Sequence, residues 1–178
     1  MREGFQDNVR DDVRSGVADF GIGYLGDLPS SHISERLGVE VLCVVLRRDH
    51  PLARKRKIEF KSLRDVALVS LPIGSGTRRL IDGAAAAAGF ALRHVVTVGL
   101  PITVYNLVRR GTGAAIVPAY TLPRWAHDDL VARRLVRPSL SSELGIIRLR
   151  ERELSPAAAG LLALAREHLG KSGVGRAA

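Results

Sequence analysis

The sequence predicts an α/β fold with mainly parallel sheets, and three observations carry that prediction. Short apolar runs alternate with helix-period segments along the chain. Residues 41–46 are apolar throughout, as a strand covered on both faces requires. Two glycine-marked helix starts, at residues 74–77 and 99–103, each follow directly on a strand pattern.

Taken in order, residues 7–15 read as a short amphipathic helix with Val9 and Val13 one turn apart, and Gly16 closes it. Residues 17–26 alternate apolar and small side chains and predict a strand. Residues 38–53 predict a longer strand ending in the turn His50-Pro51-Leu52-Ala53, where His50 is expected to be solvated. Residues 59–66 predict a short helix, 67–71 a strand, and 78–88 a helix closed by Gly89. Residues 92–98 predict a strand, followed by a helix over 100–111 with Pro101 in its first turn and Gly111 just past its end. Further strands are predicted at 114–118, 130–135 and 144–151. Ser155, as N-cap, and Pro156 begin a last helix that runs to Leu169.

A chain of 178 residues suits one domain or two small lobes, and 46% apolar residues supply a core. No run of about 18 apolar residues occurs, so no membrane span is expected. The opening MREGFQDNVRDD lacks the apolar stretch of a signal peptide. The single cysteine, Cys43, falls in the apolar run and reads as a buried, inert thiol, with no disulfide framework. Together these point to the cytoplasm. A net charge of +9 raises nucleic-acid binding, but the 23 Arg and 4 Lys are scattered. The densest cluster, Arg54-Lys55-Arg56-Lys57, sits in a turn, and four Phe and one Trp leave little for bases to stack on.

The stretch LPIGSGTRRLIDGAAAAAGF is the most telling for chemistry. Gly74-Ser75-Gly76-Thr77 resembles half a phosphate loop, but no lysine follows the second glycine and the dinucleotide glycine pattern also fails. The general property remains: free N–H groups at a helix start attract an anion or a carbonyl oxygen. Ser75 and Thr77 add hydroxyls, and Arg78 or Arg79 could add charge. The competing explanation is that Ser75 or Thr77 only caps the helix. The second start, Gly99-Leu100-Pro101-Ile102-Thr103, would place its N–H groups at the same carboxyl edge of a parallel sheet, where α/β folds bind ligands. For Pro101 the competing role is helix initiation. The histidines, His32, His50, His94, His127 and His168, show no metal-ligand spacing, and no nucleophile elbow or acid/base pair stands out. No metal, cofactor or catalytic residue is expected.

Three segments, VRSGVADFGI, RRDHPLA and NLVRRGTGAAIVP, in this order and spacing resemble the effector-binding domain of LysR-type transcriptional regulators. The closing LSPAAAGLLALAREHL is similar to that family's last helix. The resemblance covers about 165 residues. It implies a two-lobed, periplasmic-binding-protein-like (type II) fold with a small, often anionic effector in the cleft between the lobes. It places residues 1–50 in the first lobe, 51–140 in the second and 141–170 back in the first with the final helix, leaving 171–178 as a disordered tail. Carried over by position, Ser70, Gly74, Ser75, Gly76, Thr77 and Arg78, with Gly99, Leu100, Pro101, Ile102 and Thr103, match the loops that line the cleft. The family's winged helix-turn-helix and the effector domain's first strand and helix have no counterpart in the match, so the first lobe is expected to be incomplete. The resemblance further implies a homodimer or higher oligomer, no enzyme activity, and operator binding only by a full-length regulator. A small α/β enzyme using the same cleft, or a ligand-free dimerisation remnant, are the alternatives.

Overall fold

The structure, a computed structural model, describes residues 1–26, 28–121 and 129–171. In chain order its elements are α1 (Gln6–Arg14), β1 (Gly21–Tyr24), β2 (His32–Arg47), β3 (Lys57–Glu59), β4 (Ala67–Ser70), α2 (Gly76–Ala87), β5 (Arg93–Thr97), α3 (Pro101–Arg109), β6 (Ala115–Pro118), β7 (Leu130–Val136), β8 (Ser141–Leu149) and α4 (Pro156–Lys171). The chain forms two compact units, Val41–Ser141 and the pair Met1–Glu40 with Ser142–Ala178.

In the unit Val41–Ser141, the second half of β2 runs antiparallel to both β6 and β7. β7 is parallel to β3, and β4 is parallel to β5. Val69 N–H donates to Ala114 C=O, and Ala114 N–H to Ala67 C=O, both at 2.8 Å, joining β4 to the start of β6. The fold is therefore α/β as predicted, but the sheet is mixed and not mainly parallel. Parallel neighbours arise where α2 or α3 carries the chain back across the sheet, whereas β2 meets its partners head to tail.

The expected double burial of residues 41–46 has a simple basis. Successive β2 side chains alternate between two cores. Leu42, Val44 and Leu46 pack in a cluster with Leu68, Ile116 and, from α2, Ile81 and Ala85. Cys43 and Val45 pack in another with Val69, Val117 and, from α3, Val104, Tyr105 and Val108. Each such Val, Leu or Ile side chain contributes roughly 1.5–3 kcal/mol by leaving water. α2 and α3 end at the predicted glycines: Gly89 and Gly111 have φ of 76° and 83°, a region that a side chain disfavours.

In the other unit, β1 pairs antiparallel with β8. A Cβ built on Gly21 would lie 2.5 Å from Val9 Cγ1, so glycine lets α1 close onto the strand. Leu25 N–H donates to Glu143 C=O at 3.0 Å, which fixes the phase of the ladder and turns the backbone of Tyr24 away from β8. The Gln6 side chain satisfies it: Nε2 donates to Tyr24 C=O at 2.7 Å, and Tyr24 N–H donates to Oε1 at 2.9 Å. Ser155 caps α4 as predicted, its Oγ accepting from Ala158 N–H at 3.2 Å. Arg166 of α4 binds Glu35 of β2 through Nε at 2.8 Å and Nη2 at 2.5 Å.

Several boundaries differ from expectation. β1 covers only 21–24 of the strand expected over 17–26, because the chain first turns after α1. β2 begins at His32, before the expected start at 38, since its early residues Ser34, Glu35 and Arg36 are exposed and hide the strand pattern. The helix expected over 59–66 is a single 3-10 turn, Phe60–Leu63, after the short β3. His50 is not simply solvated: it is half-buried, and its Nδ1 accepts from Leu52 N–H at 3.1 Å, capping the proline turn. α4 extends to Lys171, and the rest of the expected tail lies outside the described residues.

Candidate functional site

β4 and β5 end side by side. Ser70 stands opposite Thr97, and Val98 N–H donates to Ser70 C=O at 2.9 Å. Both strands therefore release the chain at the same carboxyl edge, and each leads into a helix. Gly74 lies in the first connection. Ser75 occupies the N-cap place of α2 in extended conformation (φ −80°, ψ 130°), yet its side chain makes no capping hydrogen bond. The entry is set by the backbone: Ser75 N–H donates to Pro72 C=O at 2.9 Å, and Arg79 N–H donates to Ser75 C=O at 3.1 Å. Gly76, Thr77 and Arg78 form the first turn, with Ser75 and Thr77 buried. Gly99 and Leu100 lead into α3, where Pro101, Ile102 and Thr103 form the first turn and no side chain caps. Thr103 and Val104 N–H both donate to Leu100 C=O, at 3.0 and 3.2 Å. Ile73, Leu100 and Ile102 expose large apolar side chains on these two entries.

A narrow gap, no larger than a water molecule, is lined by Ser70, Thr77 and Arg78 together with Leu68, Leu71, Ile81 and Ile116. Of the residues expected from sequence, these three polar ones converge there. The α3 group, Gly99 to Thr103, is not in its lining.

Behind Ser70 lies a chain of polar groups that sequence reading missed. Ser70 Oγ is 2.6 Å from His94 Nδ1, and His94 Nε2 is 2.9 Å from Asp82 Oδ1. The other oxygen of Asp82 accepts from Arg78 Nε at 2.6 Å, while Arg78 Nη1 donates to Leu71 C=O at 3.2 Å. Burial holds the His94 imidazole below its ordinary value, the Arg78 cation adds to this, and Asp82 opposes it. A lone signal existed in the sequence: Arg78 and Asp82 are four apart on the helix that follows the glycine loop, the spacing of an ion pair.

Other candidates are inert by comparison. Burial pushes the Cys43 thiol up to about 12, so it remains protonated. Among the described residues no group of His, Cys, Asp or Glu could hold a metal ion, and His127 lies outside them. No helix of the described residues is long and apolar enough to cross a membrane.

Residues 1–170 match the LysR substrate binding domain family. The chain is similar to the uncharacterized HTH-type transcriptional regulator YfeR of Shigella flexneri, 33% identical over 163 residues that make up 89% of this chain and 51% of that one. It spans about half the length of the curated relatives it matches. Its fold is that of the effector binding domain of QuiR in complex with shikimate, with a TM-score of 0.84 at 21% identity over 96% of this chain and 80% of that one. The regulatory domain of CcmR from Synechocystis PCC6803 in complex with 2-PG gives 0.82 at 20% identity, over 98% and 82%.

Proposed function

This chain belongs to the LysR substrate-binding domain family, and we propose that it is the effector-sensing part of a LysR-type transcriptional regulator. Its effector is a small polar metabolite, anionic or neutral, held at the carboxyl edge of β4 and β5. The observation that carries this reading is that β4 and β5 release the chain at one edge into two helix starts whose N-cap side chains make no capping hydrogen bond, with Ser70, Thr77 and Arg78 meeting beside the first of them. That the related folds of QuiR and CcmR carry shikimate and 2-PG supports a small ligand. The domain senses and does not convert. It works in the cytoplasm, as a homodimer or higher oligomer. Operator DNA is bound by a full-length regulator; this chain's +9 charge gives only weak, salt-sensitive attraction to DNA of any sequence.

A thermal-shift screen of small metabolic acids tests the proposal. A ligand at 100 times its Kd stabilises the fold by about 2.7 kcal/mol, and Thr77→Ala weakens that gain more than it weakens folding. A screen in which no ligand shifts melting would favour the ligand-free dimerisation remnant.

A second reading, acyl transfer, draws on the Ser70–His94–Asp82 line. A serine nucleophile needs an imidazole that readily becomes cationic. Here burial, and after it the Arg78 guanidinium, oppose that cation. Covalent labelling of Ser70 by a fluorophosphonate would revive this reading; no labelling is expected.

A further inference from the structure

The Ser70–His94–Asp82–Arg78 line has a directional logic. A carboxylate only accepts hydrogen bonds, so Asp82 Oδ1 at 2.9 Å requires a proton on His94 Nε2. In the neutral ring Nδ1 is then bare, and at 2.6 Å it takes the proton of the Ser70 hydroxyl. Ser70 is left with lone pairs only, and can accept from a ligand but not donate to it. Protonation of the ring reverses this: Nδ1–H donates to Ser70 Oγ, and the hydroxyl proton turns outward.

We infer that His94, held in place by Asp82 and Arg78, is a positioning residue that sets whether Ser70 accepts from or donates to the ligand, so that a carboxylate ligand binds with uptake of a proton at His94. The inference rests on the reading of Ser70 as an effector contact. Among the described residues, three groups hydrogen-bond to the ring or act on its charge. α2 supplies Asp82 and Arg78, β4 supplies Ser70 and no charge, and Arg93, next to His94 on β5, is exposed. In the free protein burial, and after it Arg78, lower the ring's affinity for a proton, which favours its neutral form. The resting site thus prefers a ligand that offers an O–H or N–H to Ser70. A carboxylate has to bring its proton with it, and linkage makes the two effects equal in size.

The test is nitrogen-15 NMR of the imidazoles in the full chain, with acetate and acetamide as probes. In the free protein at pH 7.5, His94 is expected as the Nε2–H tautomer, with a midpoint below the ordinary histidine value. Saturating acetate is expected to raise that midpoint by about half a unit or more, which is about threefold tighter binding to the protonated form. Acetamide, which can donate to Ser70 or accept from it, is expected to leave it unmoved. His94→Asn keeps a polar partner for Ser70 and should bind acetate with no pH dependence between 5.5 and 7.5. An Nδ1–H tautomer in the free protein, or a midpoint that acetate does not move, would overturn the inference. The tautomer is read without any ligand, so failure of the Ser70 effector site and failure of the His94 relay give different results.

Discussion

At the residue scale, Ser75 and Ser155 hold the same formal place at the start of a helix and do different things. Ser155 Oγ accepts from the backbone of α4, while Ser75 makes no such bond. Ser155→Ala should therefore cost about 0.5–2 kcal/mol of stability, the usual value of a lost cap. Ser75→Ala should cost less than Ser155→Ala, because no capping bond is lost. Urea unfolding of both variants checks this, and an equal loss would mean that Ser75 is a structural cap after all. The two half-buried histidines make a second prediction. His50 and His94 are both lowered, chiefly by burial. Between the lowered folded values and the ordinary one, the unfolded chain binds more protons than the folded one, so stability rises with pH in that window. Their contribution is complete above about 6.5 and is lost as the pH falls through the folded values. Urea midpoints should fall between pH 7.5 and 5.5, and less so in His94→Asn. The sequence made the Ser155 cap visible because a cap needs only local residues, whereas the same local pattern at Ser75 does not produce one. It hid the His94 relay because Ser70, Asp82 and His94 meet only through pairing of β4 with β5 and packing of α2.

At the scale of elements, the apolar run in β2 was legible because every residue in it lacks polar groups, and burial on both faces followed directly. The early part of the same strand was not legible, since its exposed polar side chains follow no period. Cys43 follows from the first case. Its buried, protonated thiol should resist alkylation by iodoacetamide in the native protein and react readily in urea. Rapid native labelling would show that β2 opens. β1 makes the other prediction at this scale. It stands at the end of the strand order, and an end strand invites another chain. Gln6 blunts that edge by taking both backbone groups of Tyr24. Gln6→Ala should therefore increase self-association in light scattering across a concentration series. Scattering identical to wild type would show that the edge is protected in another way.

At the scale of the whole molecule, the family resemblance was readable from short segments in a fixed order, and the match over residues 1–170 bears it out. Sheet direction was less accessible. Alternating strands and helices suggest parallel neighbours, but β2 and its antiparallel partners are brought together by residues far apart in sequence. On the function proposed above, the chain holds a small effector at the edge where β4 and β5 release their helices. The most direct measurement is amide chemical-shift mapping of the full chain against shikimate and a panel of small carboxylic and phosphorylated acids. A binding acid is expected to perturb residues 70–78 and 99–103 first and most strongly. Perturbation confined to other surfaces, such as the arginine-rich patch of Arg47, Arg48, Arg109 and Arg110, or no perturbation by any acid, would contradict it.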